Sequence, residues 1–132
     1  MALEDVVFTD YIPNDELPAY YQTCDVFCAP ATGGESFGII LLEAMAASRA
    51  IVASDIEGYA SLISDGVEGL LVPPRDIQGL ANAIVTLLKD ERKRREMGAQ
   101  GLHKAERYSW SNIAKTINEY YICIHNELKC EK

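Results

Sequence analysis

The sequence predicts an α/β fold in which a parallel β-sheet has helices on both faces. Two short runs, Asp25 to Ala29 and Ala50 to Ala53, are apolar apart from the opening Asp25, as strands buried on both sides of such a sheet are. Longer stretches with helical periodicity separate and follow these runs. The 132 residues are enough for one domain with a hydrophobic core.

The first elements in chain order are short. They are predicted as a strand at Val6 to Phe8, a turn-rich link at Thr9 to Asp15, a helix at Leu17 to Thr23 and a strand at Asp25 to Ala29. Asp15 is placed to cap the first helix. The loop Pro30 to Gly34 leaves the carboxyl end of the second strand.

The chain is organised around a central helix that begins at Glu35 or Ser36 and carries Glu43. Between Phe37 and Ala47, Glu43 is the only charged side chain, so we expect this helix to be apolar on all sides and buried. Burying an unpaired charge is costly, so the carboxylate needs a partner. That partner is a side chain, for which Arg49 is a candidate, a neighbouring loop that the carboxylate caps, or a bound ligand.

The elements after the central helix alternate between strand and helix. They are predicted as strands at Ala50 to Ala53 and Gly69 to Val72 and as helices at Tyr59 to Ser64, Ile77 to Lys89, Glu91 to Arg107 and Trp110 to Leu128. Asp76 is a natural cap for the helix at Ile77. An apolar face of that helix is expected at Leu80, Ile84, Leu87 and Leu88. We expect Trp110 to anchor the core.

The amino end of the central helix is the predicted ligand site. It follows the carboxyl end of a buried strand, where open α/β sheets bind ligands, and a helix amino end offers free amides that suit a phosphate. Glu43 lies eight residues beyond Glu35, about 12 Å along a helix axis. That separation suits a long ligand with hydroxyls at both ends and phosphate between them, which describes a nucleotide-activated sugar.

Several motifs support a more specific interpretation. They are Glu35-Ser36-Phe37-Gly38, Glu43-Ala44-Met45-Ala46, Ile51 to Asp55, Asp65 to Pro73 and Asp76. In this order they resemble the donor-binding, C-terminal domain of retaining glycosyltransferases of family 4 (group 1), which have the GT-B fold. Asp25 to Pro30 and Gly33 to Ile39 are most similar to the phosphatidylinositol mannosyltransferases. The resemblance runs from about Val6 to about Tyr121.

The resemblance implies a function for the chain and a role for each matching residue. The chain would bind a nucleotide-diphospho-sugar for retaining transfer of a hexosyl group, with mannosyl as a candidate. Glu35 would hydrogen-bond the sugar hydroxyls, and Glu43 would hold the ribose hydroxyls. The donor sugar and diphosphate would face the backbone amides of Ser36, Phe37, Gly38 and Ile39, and the nucleobase would lie near Tyr11, Ile12 and Asn14.

The chemical role of Glu35, the catalytic candidate, has two interpretations. It could act as a nucleophile, or it could position the donor for a front-face displacement in which the leaving phosphate assists the acceptor. We favour positioning, because no residue here offers an evident activated nucleophile. The resemblance implies no cofactor, and the absence of an Asp-x-Asp motif agrees with metal-independent chemistry.

The resemblance also implies that residues 1–132 are one incomplete nucleotide-sugar-binding domain. About residues 1–109 would form a partial Rossmann-like sheet, and about 110–128 the closing helix. An N-terminal acceptor domain, and the Arg and Lys that neutralise the diphosphate, would have to come from elsewhere. We therefore expect the isolated chain to be inactive. We also expect an apolar sheet edge at Val26 to Cys28, through which the chain could form a homodimer.

Composition excludes some other functions. The net charge of −8 disfavours binding to nucleic acid and to anionic lipid. No stretch approaches a membrane span, the first residues do not resemble a signal peptide, and the four cysteines match no zinc or redox spacing. We therefore expect a soluble cytoplasmic protein.

One departure from the related sequences concerns the end of the central helix. The relatives usually place Gly there, whereas this sequence has Ser48, which predicts a small strain at a left-handed cap. Two other functions also stay open for the chain. One is a non-catalytic nucleotide-sugar-binding or assembly module, and the other is a phosphorylase-like or epimerase-like relative that shares the sheet.

Overall fold

The computed structural model describes residues 4–130, with side chains up to residue 126, and within that range it has six helices and three strands. In chain order these are α1 (Leu17–Thr23), β1 (Val26–Ala29), α2 (Ile39–Ala46), β2 (Ala50–Ser54), α3 (Glu57–Ala60), β3 (Gly69–Val72), α4 (Ile77–Lys89), α5 (Glu91–Glu106) and α6 (Trp110–Cys130). The predicted α/β class is confirmed.

The three strands form a parallel sheet in the order β1-β2-β3, with Phe27 opposite Ile51 and Ile51 opposite Gly69. Every residue of β2 is buried, as its apolar sequence predicts. Within the described residues β1 is an edge strand, and Val26 to Cys28 are only half-buried. The predicted apolar edge is therefore present, and its use in dimerisation stays a prediction.

Helices cover both faces of the sheet. One face packs Ile51 and Ala53 against residues of α2 and α3, such as Leu41 and Tyr59. The opposite face packs side chains of β2 and β3 against α4 and α5, with Val52, Val72, Leu80, Ile84, Leu87 and Met97 in one cluster. Side chains of successive strand residues point to opposite faces, so a strand that is apolar throughout serves both clusters.

The cap of α4 is confirmed, because the Asp76 carboxylate accepts a hydrogen bond from the Gly79 amide at 2.9 Å. The predicted apolar face of α4 is wrong only at Leu88, which is 51% exposed. A second polar contact joins α5 to the turn before β3. There the buried Glu68 carboxylate accepts hydrogen bonds from the Lys104 ammonium at 3.0 Å and from the Ser64 amide at 2.8 Å.

Three predictions about the ends of the chain are wrong. Val6 to Phe8 is not a strand, because it pairs with no strand in the described part of the chain. Asp15 does not cap α1, which begins after Glu16 without a side-chain cap and has Pro18 in its first turn. Trp110 does not anchor the core, since it opens α6 with 86% of its surface exposed.

Two predictions about the sheet-flanking helices are also wrong. The short helix α3 is Glu57–Ala60 rather than Tyr59 to Ser64, because the chain turns into it directly after the extended Ile56. The central helix α2 is not buried on all sides. Its inner face is buried at Leu41, Ala44 and Met45, whereas Ile39 on its outer face is 64% exposed.

The carboxyl end of α2 is closed by a turn that carries the predicted strain. Ser48 has a φ of 57°, in the left-handed region, and the Ser48 and Arg49 amides donate hydrogen bonds to the Met45 and Ala44 carbonyls. This is the Schellman arrangement, in which Gly is usual at the position of Ser48. Helix α5 packs closely on this turn at Gly98, where an added Cβ would lie 2.2 Å from the Ser48 carbonyl oxygen.

Candidate functional site

The loop between β1 and α2 forms the centre of the candidate site, and it ends at Gly38. Gly38 has a φ of 86° and is the N-cap of α2, so the helix begins at Ile39 and not at Glu35 or Ser36 as predicted. A Cβ at Gly38 would lie 2.8 Å from the ring of the buried Tyr59. Both the positive φ and the close contact therefore require glycine at this position.

The Glu35 carboxylate folds back onto the amino end of α2. Its Oε1 accepts hydrogen bonds from the Gly38 amide at 3.2 Å and from the Phe37 amide at 3.5 Å. The geometry of the longer bond makes it the weaker of the two. Two of the amides that the sequence assigns to a ligand are thus held by a side chain of the same loop.

Helix α3 packs against the inner side of this loop. A Cβ at Gly58 would lie 2.3 Å from the Glu35 carbonyl oxygen, so only glycine allows α3 to approach so closely. On the outside of the loop, Ser36 is exposed and the Phe37 ring lies 5.9 Å from the Tyr108 ring, between ring centroids. The loop therefore has a fixed inner side and an open outer side.

Glu43, one turn into α2, has a side-chain partner. The Tyr21 hydroxyl of α1 donates a hydrogen bond to Glu43 Oε2 at 2.7 Å. Arg49, the partner considered from the sequence, instead donates to the carbonyls of Ala47 and Cys24. Tyr21 was not predicted as the partner, because the 22 residues that separate it from Glu43 leave no periodic signal that the two side chains meet.

Burial raises the pKa of the Tyr21 hydroxyl, and the hydrogen bond to Glu43 and the charge of that carboxylate raise it further. The phenol therefore stays protonated at neutral pH and acts as a hydrogen-bond donor. The Tyr21 ring also packs on Phe27 of β1, with ring centroids 5.3 Å apart. These contacts fix the Glu43 carboxylate relative to the sheet.

Two grooves meet at Glu43. The first, of about 440 Å³, lies between α1 and α2 and is lined by Asn14, Leu17, Pro18, Tyr21, Gln22, Glu43, Ala46 and Ala47. The second, of about 660 Å³, lies between α2 and the segment where α5 meets α6, and its walls include Phe37, Ile39, Leu42, Glu43, Tyr108 and Trp110.

The structure thus brings most of the predicted site residues together along α2. Asn14 shares the first groove with Glu43, and Phe37 and Ile39 share the second groove with the same carboxylate. Ile12 is half-buried and lines neither of these grooves, and Tyr11 is 83% exposed. Only Asn14 of the predicted nucleobase residues is therefore placed beside Glu43.

The carboxyl edge of the sheet is acidic. In the described structure, the three loops that leave the strands carry Glu35, Asp55 and Asp76, and their one basic residue is Arg75. The Asp76 carboxylate is occupied as the cap of α4. These described loops therefore offer little positive charge to a diphosphate.

Two properties of the described residues bear on other kinds of site. They include no group of three or more His, Cys, Asp or Glu side chains placed to hold a metal ion. No helix in the described range is long and apolar enough to cross a membrane.

Comparisons with known sequences identify relatives over most of the chain. The sequence model of a family described as "Glycosyl transferases group 1" matches residues 1–104. A phosphatidyl-myo-inositol mannosyltransferase of Mycobacterium leprae is 40% identical over 119 residues, which are 90% of this chain and 32% of that protein.

Solved structures agree with these relatives. A sucrose-phosphate synthase from Thermosynechococcus elongatus superposes with a TM-score of 0.83 and 31% identity, over 92% of this chain and 30% of that one. The Anabaena protein Alr3699/HepE in complex with UDP superposes with a TM-score of 0.77 and 29% identity, over 82% of this chain and 30% of that one.

The chain spans about a third of the length of these relatives. The fold, the motifs around Glu35 and Glu43 and the match over residues 1–104 agree with one another. The protein therefore belongs to the family of group 1 glycosyl transferases.

Proposed function

We propose that the chain is the donor-binding part of a retaining, metal-independent hexosyltransferase of the cytoplasm, with mannosyl as the candidate group. The observation that carries this proposal is the position of Glu43. Its carboxylate stands on the outer side of α2, where the two grooves meet and one turn from the amino end of the helix. A relative with bound UDP and another named as a mannosyltransferase support the ligand class.

Glu43 suits the ribose of a nucleotide. A carboxylate has two oxygens and accepts hydrogen bonds from two neighbouring hydroxyls, as a ribose presents them. The oxygen Oε2 is bonded to Tyr21, whereas Oε1 receives no hydrogen bond from any described residue. The nucleobase would then lie in the groove beside Asn14, and the diphosphate would extend toward the amino end of α2.

The first amides of α2 suit the diphosphate. The opening amides of a helix have no acceptor within the helix, and the helix dipole favours an anion beside them. The amides of Phe37 and Gly38, which directly precede the first amides of α2, donate to Glu35 in the structure. A bound diphosphate would replace Glu35 at these amides and leave its carboxylate free to accept hydrogen bonds from the sugar hydroxyls.

This exchange assigns Glu35 a positioning role in catalysis. Its carboxylate would orient the donor sugar while the leaving phosphate assists attack by the acceptor on the same face. Correct orientation of the reacting groups by itself accelerates such a transfer strongly. Nucleophilic attack by Glu35 is the competing mechanism, and a trapped covalent glycosyl-enzyme would favour it.

The acidic edge implies that the chain needs a partner domain for turnover. A dianionic diphosphate beside Glu35 and Asp55 requires cations, and Arg75 is the single base of the described edge loops. We therefore expect the 132-residue chain to bind a nucleotide weakly and to transfer no sugar by itself. Release of labelled sugar from a nucleotide sugar by the purified chain would contradict this.

A non-catalytic nucleotide-sugar-binding module is the second candidate. The acidic edge is the observation that supports it, because the described edge loops offer a diphosphate leaving group a single base. The longer protein that contains this chain separates the two functions. Transfer of sugar by that protein supports the enzyme, whereas donor binding without transfer supports the module.

The site itself is tested with paired variants of the chain. Glu43→Ala should weaken binding of UDP or GDP by at least tenfold in NMR titrations, because the ribose loses its acceptor. Glu57→Ala, which removes an exposed acid from the first turn of α3, is the charge-matched control and should leave binding unchanged or slightly tighter. Equal weakening by both variants would refute the assigned role of Glu43.

Glu35 is tested separately in the longer protein. Glu35→Gln should leave nucleotide affinity within threefold of the parent and lower the rate of sugar transfer by at least a hundredfold. A parallel loss of nucleotide affinity would place Glu35 at the nucleotide instead of the sugar.

A further inference from the structure

The contact between α1 and α2 at Glu43 is made by Tyr21, a buried side chain that packs against the sheet. Tyr21 is 9% exposed, and its hydroxyl is 2.7 Å from Glu43 Oε2. Its ring packs on Phe27, which lies in the sheet opposite the fully buried Ile51. A hydrogen bond held by packed rings on an α-helix and a β-strand leaves the carboxylate little freedom to rotate.

Tyr21 is also the sole hydrogen-bond donor to the Glu43 carboxylate within the described residues. Arg49 is occupied by the carbonyls of Ala47 and Cys24, and Asn14 and Gln22 line the same groove without a bond to the carboxylate. The orientation of the Glu43 carboxylate therefore depends on one hydroxyl group.

We infer that Tyr21 is a positioning residue that gives the site its selectivity for ribose. Its hydroxyl holds Oε2 of Glu43 so that Oε1 faces the groove, at the position where a pair of sugar hydroxyls is recognised. The inference rests on the proposed function and goes beyond it, because it assigns a role to a residue that need not touch the nucleotide.

The mechanism is one of orientation rather than charge. With Tyr21 in place, the carboxylate presents one oxygen in a fixed direction, and both ribose hydroxyls can donate to the acceptor sites that remain. Without the phenol, Glu43 rotates between several positions, and the ribose must fix it at an entropic cost. A ligand that lacks the hydroxyls is indifferent to this change, because it makes no bond with Glu43.

The test compares nucleotides with and without the ribose hydroxyls. The ligands are UDP, GDP and their 2′,3′-dideoxy counterparts. Each nucleotide is added up to millimolar concentration to the isotope-labelled chain, and its dissociation constant is obtained from the changes in backbone amide chemical shifts. The variants are Tyr21→Phe, which removes only the hydroxyl, and Tyr20→Phe as its matched control. Tyr20 lies on the same helix, is 45% exposed, and its hydroxyl makes no hydrogen bond with the described residues.

The quantity that decides is the ratio of dissociation constants for the dideoxy and the ordinary nucleotide. We expect Tyr21→Phe to lower this ratio three- to tenfold through weaker binding of the ordinary nucleotide, with the dideoxy affinity unchanged. Tyr20→Phe should keep the ratio of the parent chain. In a Glu43→Gln background, Tyr21→Phe should have no further effect on the ratio. If Tyr21 had a merely structural role, Tyr21→Phe would weaken the binding of both nucleotides alike and leave the ratio unchanged.

Two results would overturn the inference, and they differ in what else they overturn. If the parent chain prefers the ordinary nucleotide and Tyr21→Phe keeps that preference, Tyr21 has no positioning role and the proposed function stands. If the parent chain does not distinguish the two nucleotides, Glu43 does not bind ribose, and the proposed function fails together with the inference.

Discussion

Gly98 on α5 offers the sharpest test of how the helix that carries Glu43 is held in place. A Cβ at Gly98 would lie 2.2 Å from the Ser48 carbonyl oxygen and 2.8 Å from its carbonyl carbon. Both atoms belong to the turn that ends α2, and a backbone carbonyl cannot move aside as a side chain can. Gly98→Ala therefore requires α5 to move away from α2.

The magnitude follows from two opposing effects. Overpacking of a tight contact costs about 1–3 kcal/mol, and here the upper part of that range applies because backbone atoms are involved. Replacing Gly by Ala inside a helix stabilises the folded state by about 1 kcal/mol, because Ala has the higher helix propensity. The free energy of unfolding of Gly98→Ala should therefore fall by about 1–2 kcal/mol, measured by chemical denaturation with urea.

Gly101→Ala is the matched control on the same helix. There an added Cβ would lie 3.1 Å from the Met45 Cγ, which belongs to a flexible side chain that can shift. The same propensity gain then applies without a large packing cost, so this variant should be as stable as the parent chain or slightly more stable. If Gly98→Ala is as stable as Gly101→Ala, the close contact of α5 with the Ser48 carbonyl is not as described.

Three further predictions concern single interactions. Ser48→Gly should raise the free energy of unfolding by up to about 1 kcal/mol in thermal melts, because glycine adopts the left-handed φ at this position without strain. A lower free energy of unfolding for this variant would contradict the prediction. Asp76→Ala should lower it by about 1 kcal/mol through loss of the α4 cap, and Asp76→Asn should restore most of the difference. Burial by itself would raise the pKa of Glu68, but hydrogen bonds from Lys104 and the Ser64 amide outweigh it and hold the pKa below its ordinary value. The stabilisation by Glu68 is therefore complete above the unfolded-state pKa of about 4.3 and is lost as the pH falls through the lower folded-state value. The stability difference between the parent chain and Glu68→Gln should then shrink in acid, and a constant difference between pH 3 and pH 7 would refute this.

Local patterns were sufficient for the sheet and for several helix boundaries. Strands β2 and β3 were correct to within one residue, because a strand of a parallel sheet covered by helices is an apolar run that is easy to recognise. The cap of α4 at Asp76 was correct because capping depends on a few adjacent residues. The left-handed turn at Ser48 could be predicted from its place in the family motif.

The errors arose where the outcome depends on distant parts of the chain. Val6 to Phe8 has the composition of a strand, but a strand needs a neighbour to pair with. The start of α2 depends on the backbone of Gly38 and its contact with Tyr59, and neither is visible in helical periodicity. The bond between Tyr21 and Glu43 joins two helices and leaves no local signal, so the identity of the partner could not be predicted.

The hydrogen bonds from Phe37 and Gly38 to Glu35 mean that an incoming anion must compete with a group tethered to the same loop. A nucleoside diphosphate without its sugar would displace the carboxylate and offer it no sugar hydroxyls in return, so the displaced charge would remain beside the anion and repel it. An intact sugar nucleotide would bring sugar hydroxyls that donate hydrogen bonds to the displaced carboxylate. The loop would thus bind the complete donor somewhat more tightly than the spent nucleoside diphosphate, and this preference would come from a single side chain.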